Sequence, residues 1–190
     1  MDSNETGRIL IACLLLGLLS CSGSKDDQQT FRIDGTGHDI CEVQLPKAWT
    51  AKVIQPHAQV LPVLEASAAD SSALTLKMTF FPINPEKVLT SDELKELARK
   101  GCAEYVEGSA EKNVDLVSLE SKTGEGYYAN FTDPSAANPV PAGQYARISS
   151  GVFRTSQTSV LFTIYFNTPG IELQKKALES VGRIRKVESK

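Results

Sequence analysis

Leu74-Thr75-Leu76-Lys77-Met78-Thr79-Phe80, followed after one loop by Thr90-Ser91-Asp92-Glu93, is the stretch that decides the fold. In the first segment large apolar residues alternate with polar ones. A period of two is the pattern of a strand with one buried face. The second segment has the form of a capping box, in which two side chains satisfy orphan backbone donors at a helix start. Leu94, Leu97, Ala98, Cys102, Tyr105 and Val106 then fall on one helical face, and Lys95, Glu96, Arg99 and Lys100 on the other. Gly108 is the expected stop.

Toward the N-terminus, Cys41, Val43 and Leu45 alternate with Glu42 and Gln44, a half-buried strand that Pro46 ends. Residues 31–33 read as a short strand, and 51–54 and 60–66 as weaker ones. Toward the C-terminus, residues 114–121 and 126–132 flank Lys122-Thr123-Gly124-Glu125, a hairpin signal. Residues 133–143 hold Pro134, Pro139 and Pro141 and are expected to form an exposed loop. Residues 144–154 and 159–167 read as another hairpin around Ser156-Gln157. Thr168-Pro169 opens a second helix with an inward stripe of Leu173, Ala177, Leu178 and Val181. Ile184 and Val187 close the domain. Successive hairpins with two isolated helices predict an α+β fold, an antiparallel sheet with helices packed on it.

The other informative stretch is the N-terminus. Arg8 precedes an apolar run at residues 9–19, which stops at Ser20-Cys21. A membrane-spanning helix needs roughly twenty apolar residues. A secretion signal needs only about seven to fifteen, ending at a small residue. Leu18-Leu19-Ser20-Cys21 resembles the lipobox of bacterial lipoproteins. That resemblance implies cleavage between Ser20 and Cys21 and lipidation of Cys21. An ordinary cleaved signal and a buried N-terminal element are the alternatives. Residues 22–30 lack apolar periodicity and read as a tether. The expected organisation is a signal at 1–20, a tether at 21–30 and one globular domain at 31–190. The expected location is the cell envelope, attached through the lipid anchor and facing the periplasm or cell exterior. Ser22 in place of an aspartate leans toward the outer membrane.

The 190 residues carry a formal charge of −3, with 41% hydrophobic and 23% charged residues, an ordinary globular composition. No basic stripe with interleaved aromatics is present, so nucleic-acid binding has little support. Of the four cysteines, Cys13 leaves with the signal and Cys21 takes the lipid. Cys41 and Cys102 remain, a disulfide candidate in an oxidising envelope. Cys102 lies on the apolar helix face, and Cys41 would meet it if its strand packs beneath that helix. Two separate buried thiols are the alternative.

Leu45-Pro46-Lys47-Ala48-Trp49 resembles the P-x-x-W entry of PsbP-like domains. The order of elements after it is similar too: the strand at 74–80, the capped helix from Ser91, two hairpins and a final helix ending Leu178-Glu179-Ser180-Val181. The resemblance covers roughly residues 40–185 and extends to DcrB-type envelope lipoproteins. It implies an α/β/α sandwich around a central antiparallel sheet. It implies a binding or accessory module, with no shared catalytic residues.

No motif for catalysis, a metal or a cofactor emerges. His38 and His57 lie in expected loops without metal-ligand spacing. Asp34-Gly35-Thr36-Gly37 has the letters of an aspartic-protease motif. Those enzymes need two converging aspartates, and the single copy reads as a turn. Trp49, after its proline corner, reads as a core plug, with an exposed recognition anchor as the alternative. Tyr127 and Tyr128 point to opposite sides of their strand, one inward. Tyr128, Pro139 and Pro141 are partner-contact candidates, the prolines because their loop is stiff and displayed on a sheet. The expected function is a non-catalytic binding or accessory module for another envelope protein. The alternatives are a hydrolase gathering Asp34, His38 or His57 with Asp133, and a small-ligand carrier with an enclosed apolar cavity.

Overall fold

A computed structural model describes residues 27–35, 39–57, 59–69, 73–83, 89–156, 158–167 and 171–186. Two sheets and two helices form three layers. The larger sheet has seven antiparallel strands in the order β3 (Thr50–Ile54), β4 (Val63–Ser67), β5 (Leu74–Pro82), β9 (Thr158–Phe166), β8 (Arg147–Thr155), β7 (Gly124–Thr132) and β6 (Val117–Glu120). The smaller has three strands, β1 (Gln28–Gly35), β2 (Asp39–Pro46) and β10 (Arg185–Lys186), with β2 in the middle. Helix α1 spans Ser91–Val106 and α2 spans Ile171–Val181.

The alternation at 74–80 is borne out in β5. Leu74, Leu76, Met78 and Phe80 are buried on one face of the large sheet, together with Leu64, Ala66, Phe153, Val160, Phe162, Ile164 and Phe166. That face is sealed by Ile33, Val43 and Leu45 of the small sheet, by Trp49, and by Ala177 and Val181 of α2. On the opposite face α1 packs on β7 and β8, burying Leu94 and Ala98 against Val152, and Cys102 against Ala129 and Phe131. The two helices therefore lie on opposite faces, the α/β/α arrangement of the expected α+β fold.

The capping box forms at Thr90. Its side chain accepts from Glu93 N at 3.2 Å, and Glu93 Oε2 accepts from Thr90 N at 2.7 Å. Asp92 and Glu93 add negative charge to the positive end of the helix dipole. Gln174 joins α2 to the sheet, donating to Ser149 Oγ at 2.7 Å and Asn130 Oδ1 at 3.0 Å.

Three expectations are corrected. β1 begins at Gln28, pairing Gln28 with Pro46, so residues 28–30 are strand and not tether. Residues 185–186, expected only to close the domain, form β10 and pair with β2, a strand too short at two residues to show any period in the sequence. The third correction concerns the cysteines. β2 does not lie beneath α1; it packs against α2 on the sealed face. Cys41 and Cys102 are both buried, and no disulfide joins them. The large sheet stands between their layers. Packed layers are about 10 Å apart, whereas bridged Cα atoms lie within about 7 Å. Cys102 donates to the Ser150 carbonyl at 3.1 Å, and burial raises its thiol above the ordinary value. Alkylation of the protein denatured without reductant should therefore label both cysteines. A peptide containing the two joined would contradict the layer assignment.

Candidate functional site

The face carrying α1 is the open one. Beyond the helix, β5 presents Thr75, Lys77 and Thr79, and β9 presents Thr163 and Tyr165, all half-buried or exposed. Farther along, Glu65 accepts from Lys52 at 3.0 Å and Lys77 at 3.2 Å, and these two ammonium groups hold its carboxyl below the usual range.

Where the C-terminal end of α1 meets the sheet there is a cleft of about 240 Å³. Tyr105, Phe131, Tyr145 and Ile148 form its walls, with Glu104 and Asp133 among its lining residues. Tyr105 comes from the last turn of α1, and its ring centroid lies 5.6 Å from that of Phe131 on β7. Burial pushes the Tyr105 phenol well above its ordinary value, and its hydroxyl interacts with Thr163 on β9. Tyr145 pairs with Tyr165 at 5.8 Å between centroids, and its hydroxyl lies 2.8 Å from Thr75 Oγ1. Both rings are thus fixed by an aromatic neighbour and by a threonine of the sheet.

The 133–146 loop places the other parts. Asp133 N donates to Ala146 O at 2.8 Å, which closes the loop and sets Asp133 and Tyr145 on adjacent stems. Asp133 Oδ1 accepts from Ser135 N at 2.8 Å and Ser135 Oγ at 2.6 Å, which lowers the carboxyl and keeps it ionised. Nearby, Glu111 accepts from Thr132 N and Thr132 Oγ1, both at 2.8 Å, and feels Arg147. Glu111 is therefore committed to β7. Glu104 and Asp133 line the cleft with no lysine or arginine among its lining residues.

A second hollow is lined by Ser121, Gly124, Glu125, Arg154, Thr155 and Ser156. Arg154 is ion-paired with Glu125, which also accepts from Ser91 Oγ at 3.0 Å. Arg154 Nη1 is buried without a partner. Its charge is already balanced by Glu125, which makes this hollow a weaker anion receptor than its arginine suggests.

The residues singled out in the sequence are distributed differently. Ser20, Cys21 and His38 lie outside the described residues. Trp49 is 4% exposed and plugs the sealed core, with its carbonyl accepting from Gln29 Nε2 at 2.5 Å, so it is no partner contact. Tyr128 is half-buried and packs against that same core, 6.4 Å from Phe162 between centroids. Tyr127 faces α1, with Lys95 Nζ 5.4 Å above its ring. Pro139 and Pro141 are exposed on the loop, beyond the stems that line the cleft.

Among the described residues, those of the hydrolase alternative do not assemble. His57 sits between β3 and β4 at one side of the sheet, and Asp133 follows β7 near the other. Four to five strand spacings at about 4.8 Å separate β7 from β4 and β3, roughly 19–24 Å. Asp34 belongs to the small sheet. Among the described residues no group of three His, Cys, Asp or Glu could hold a metal ion, and no helix is long and apolar enough to cross a membrane.

Tyr105 and Tyr145 are the site residues that sequence reasoning misses. Tyr105 reads there as one more member of the apolar helix face. Tyr145 sits just past a loop whose prolines draw the eye instead.

No family model and no curated protein matches the sequence. Among solved structures, the fold is similar to the solution structure of cyanobacterial PsbP (CyanoP) from Synechocystis sp. PCC 6803. The TM-score is 0.50 at 12% identity, covering 90% of this chain and 99% of that chain. At this identity the likeness shows the fold, a PsbP-like α+β arrangement.

Proposed function

We propose that the chain is a lipid-anchored domain of the bacterial cell envelope that acts without catalysis, recognising another envelope protein through the cleft at the end of α1. The observation that carries this reading is the cleft itself. Its aromatic walls are held rigid by Thr75 and Thr163, its lining acids are ionised or exposed, and it opens on the unsealed face. Rigid aromatic surface ringed by polar groups suits recognition, because little side-chain entropy is lost on contact. The anchor rests on the lipobox-like Leu18-Leu19-Ser20-Cys21. The likeness to PsbP supports an accessory role, as does the DcrB-type resemblance. Residues 22–27 span at most about 20 Å when extended, so the domain works close to its membrane.

Photo-crosslinking in living cells tests both halves. A photoreactive amino acid at position 104 should trap one defined envelope protein, and the same residue at position 186 on β10 should not. Radiolabelled palmitate should enter the protein, and Cys21→Ala should abolish both the label and the crosslink. Equal trapping at both positions, or a label that survives Cys21→Ala, would overturn the reading.

A further inference from the structure

We infer that the cleft receives an arginine side chain displayed by the partner protein, an inference that rests on the reading of the cleft as the recognition site. Four features of the chemistry converge on this guest. The lining is aromatic, with Tyr105 and Tyr145 beside the buried Phe131, and electron-rich rings attract a cation. Burial raises the Tyr105 phenol, and its hydroxyl interacts with both Thr163 and the Glu104 carboxyl, which keeps that acid beside the ring. The lining acids, Glu104 and Asp133, supply negative charge, and Asp133 is held ionised by its bonds to Ser135. The volume of about 240 Å³ accepts one long side chain rather than an extended ligand.

Arginine fits better than lysine for a geometric reason. A guanidinium is planar, so it lies flat on a ring while its edge donors fork toward carboxylates. An ammonium is a point charge without that planar fork, so it neither stacks flat on a ring nor pairs with a carboxylate through two parallel bonds. The same protein shows the ammonium mode elsewhere, with Lys95 over Tyr127 on the flank of α1 and its charge paired to Asp92 at 3.0 Å. That contact is internal and already satisfied. In the cleft, the rings and the acids have no cation of this chain among the lining residues.

The test uses the full lipidated chain in detergent micelles with its five tyrosines ring-labelled with carbon-13. It is titrated with N-acetyl-arginine methylamide, with the lysine counterpart, and with the neutral isostere N-acetyl-citrulline methylamide. The arginine probe should shift the Tyr105 and Tyr145 ring signals and leave Tyr127 and Tyr128 in place. It should bind about fivefold or more tightly than citrulline, the factor expected of one cation–π contact. The double variant Glu104→Gln/Asp133→Asn should lose most of that preference, and both positions are exposed, so folding is unaffected. Equal binding of citrulline overturns the cationic guest. Lysine binding as tightly as arginine overturns the guanidinium assignment. Because the citrulline comparison uses the unmodified chain, the result does not depend on the variant. Crosslinking at position 104 without arginine binding leaves the recognition reading standing and removes this inference. Arginine binding without any crosslink overturns the recognition reading and, with it, a partner protein as the source of the arginine.

Discussion

Replacing Phe162 with alanine should lower the stability of the domain by about 3–5 kcal/mol, the range for removing a fully buried aromatic ring. Phe162 is 2% exposed on β9, which is flanked by β5 and β8 near the middle of the large sheet. Its ring packs into the sealed core and meets Tyr128 at 6.4 Å between centroids. Truncation removes its own burial and strips Tyr128 of its aromatic neighbour. The surrounding strands, bonded on both sides, cannot collapse into the space. A thermal melt should show the midpoint falling by about 10 °C or more for a domain of this size. A drop of only one or two degrees would mean that the two-layer packing of this face is wrong.

Gly151→Val should be comparably damaging, for the opposite reason. Gly151 on β8 lies in register between Tyr128 on β7 and Phe162 on β9. The two rings meet across the space that a side chain at 151 would occupy. A Cβ placed there would sit 2.3 Å from the Tyr127 carbonyl oxygen, 2.5 Å from Tyr128 Cβ and 2.7 Å from Tyr128 Cα. Two of these are backbone atoms, so relief requires β7 and β8 to part. Overpacking costs about 1–3 kcal/mol when side chains can adjust, and more when they cannot. A loss of about 3 kcal/mol or more is therefore expected in chemical denaturation, and Gly151→Ala should lie between it and the wild type. A Gly151→Val protein that melts like the parent would show that Tyr128 and Phe162 do not meet over this glycine.

These two positions also show what could be read before the fold was known. The alternation at 74–80 and the Thr90 capping box are local signals, set by neighbours within a few residues, and both elements stand where they were expected. The inward stripe of α2 at Ala177 and Val181 is of the same kind. Gly151 and Phe162 carry no such local signal, because their importance comes from a cross-strand register. The Cys41–Cys102 pairing failed for a related reason. Periodicity places a side chain on a face of its own element, but it does not say which face of the sheet that element covers. The β1–β2 hairpin forms a separate sheet with β10, a partnership made across some 140 residues by Arg185 against Glu42. The cleft was equally hidden. It draws Tyr105 from a helix, Phe131 from a strand and Tyr145 from beyond a loop, three residues of ordinary surroundings that only the fold brings together.

Amide hydrogen exchange on the full chain, compared between native envelope membranes and detergent-purified protein, tests the central claim that the unsealed face is where the domain meets its partner. Slower exchange in the membranes is expected in peptides covering residues 104–109 and 131–148, with little change in those covering 28–46 and 171–186. Protection falling on the latter pair instead, over the small sheet and α2, would place the partner on the opposite face and contradict the assignment of the cleft.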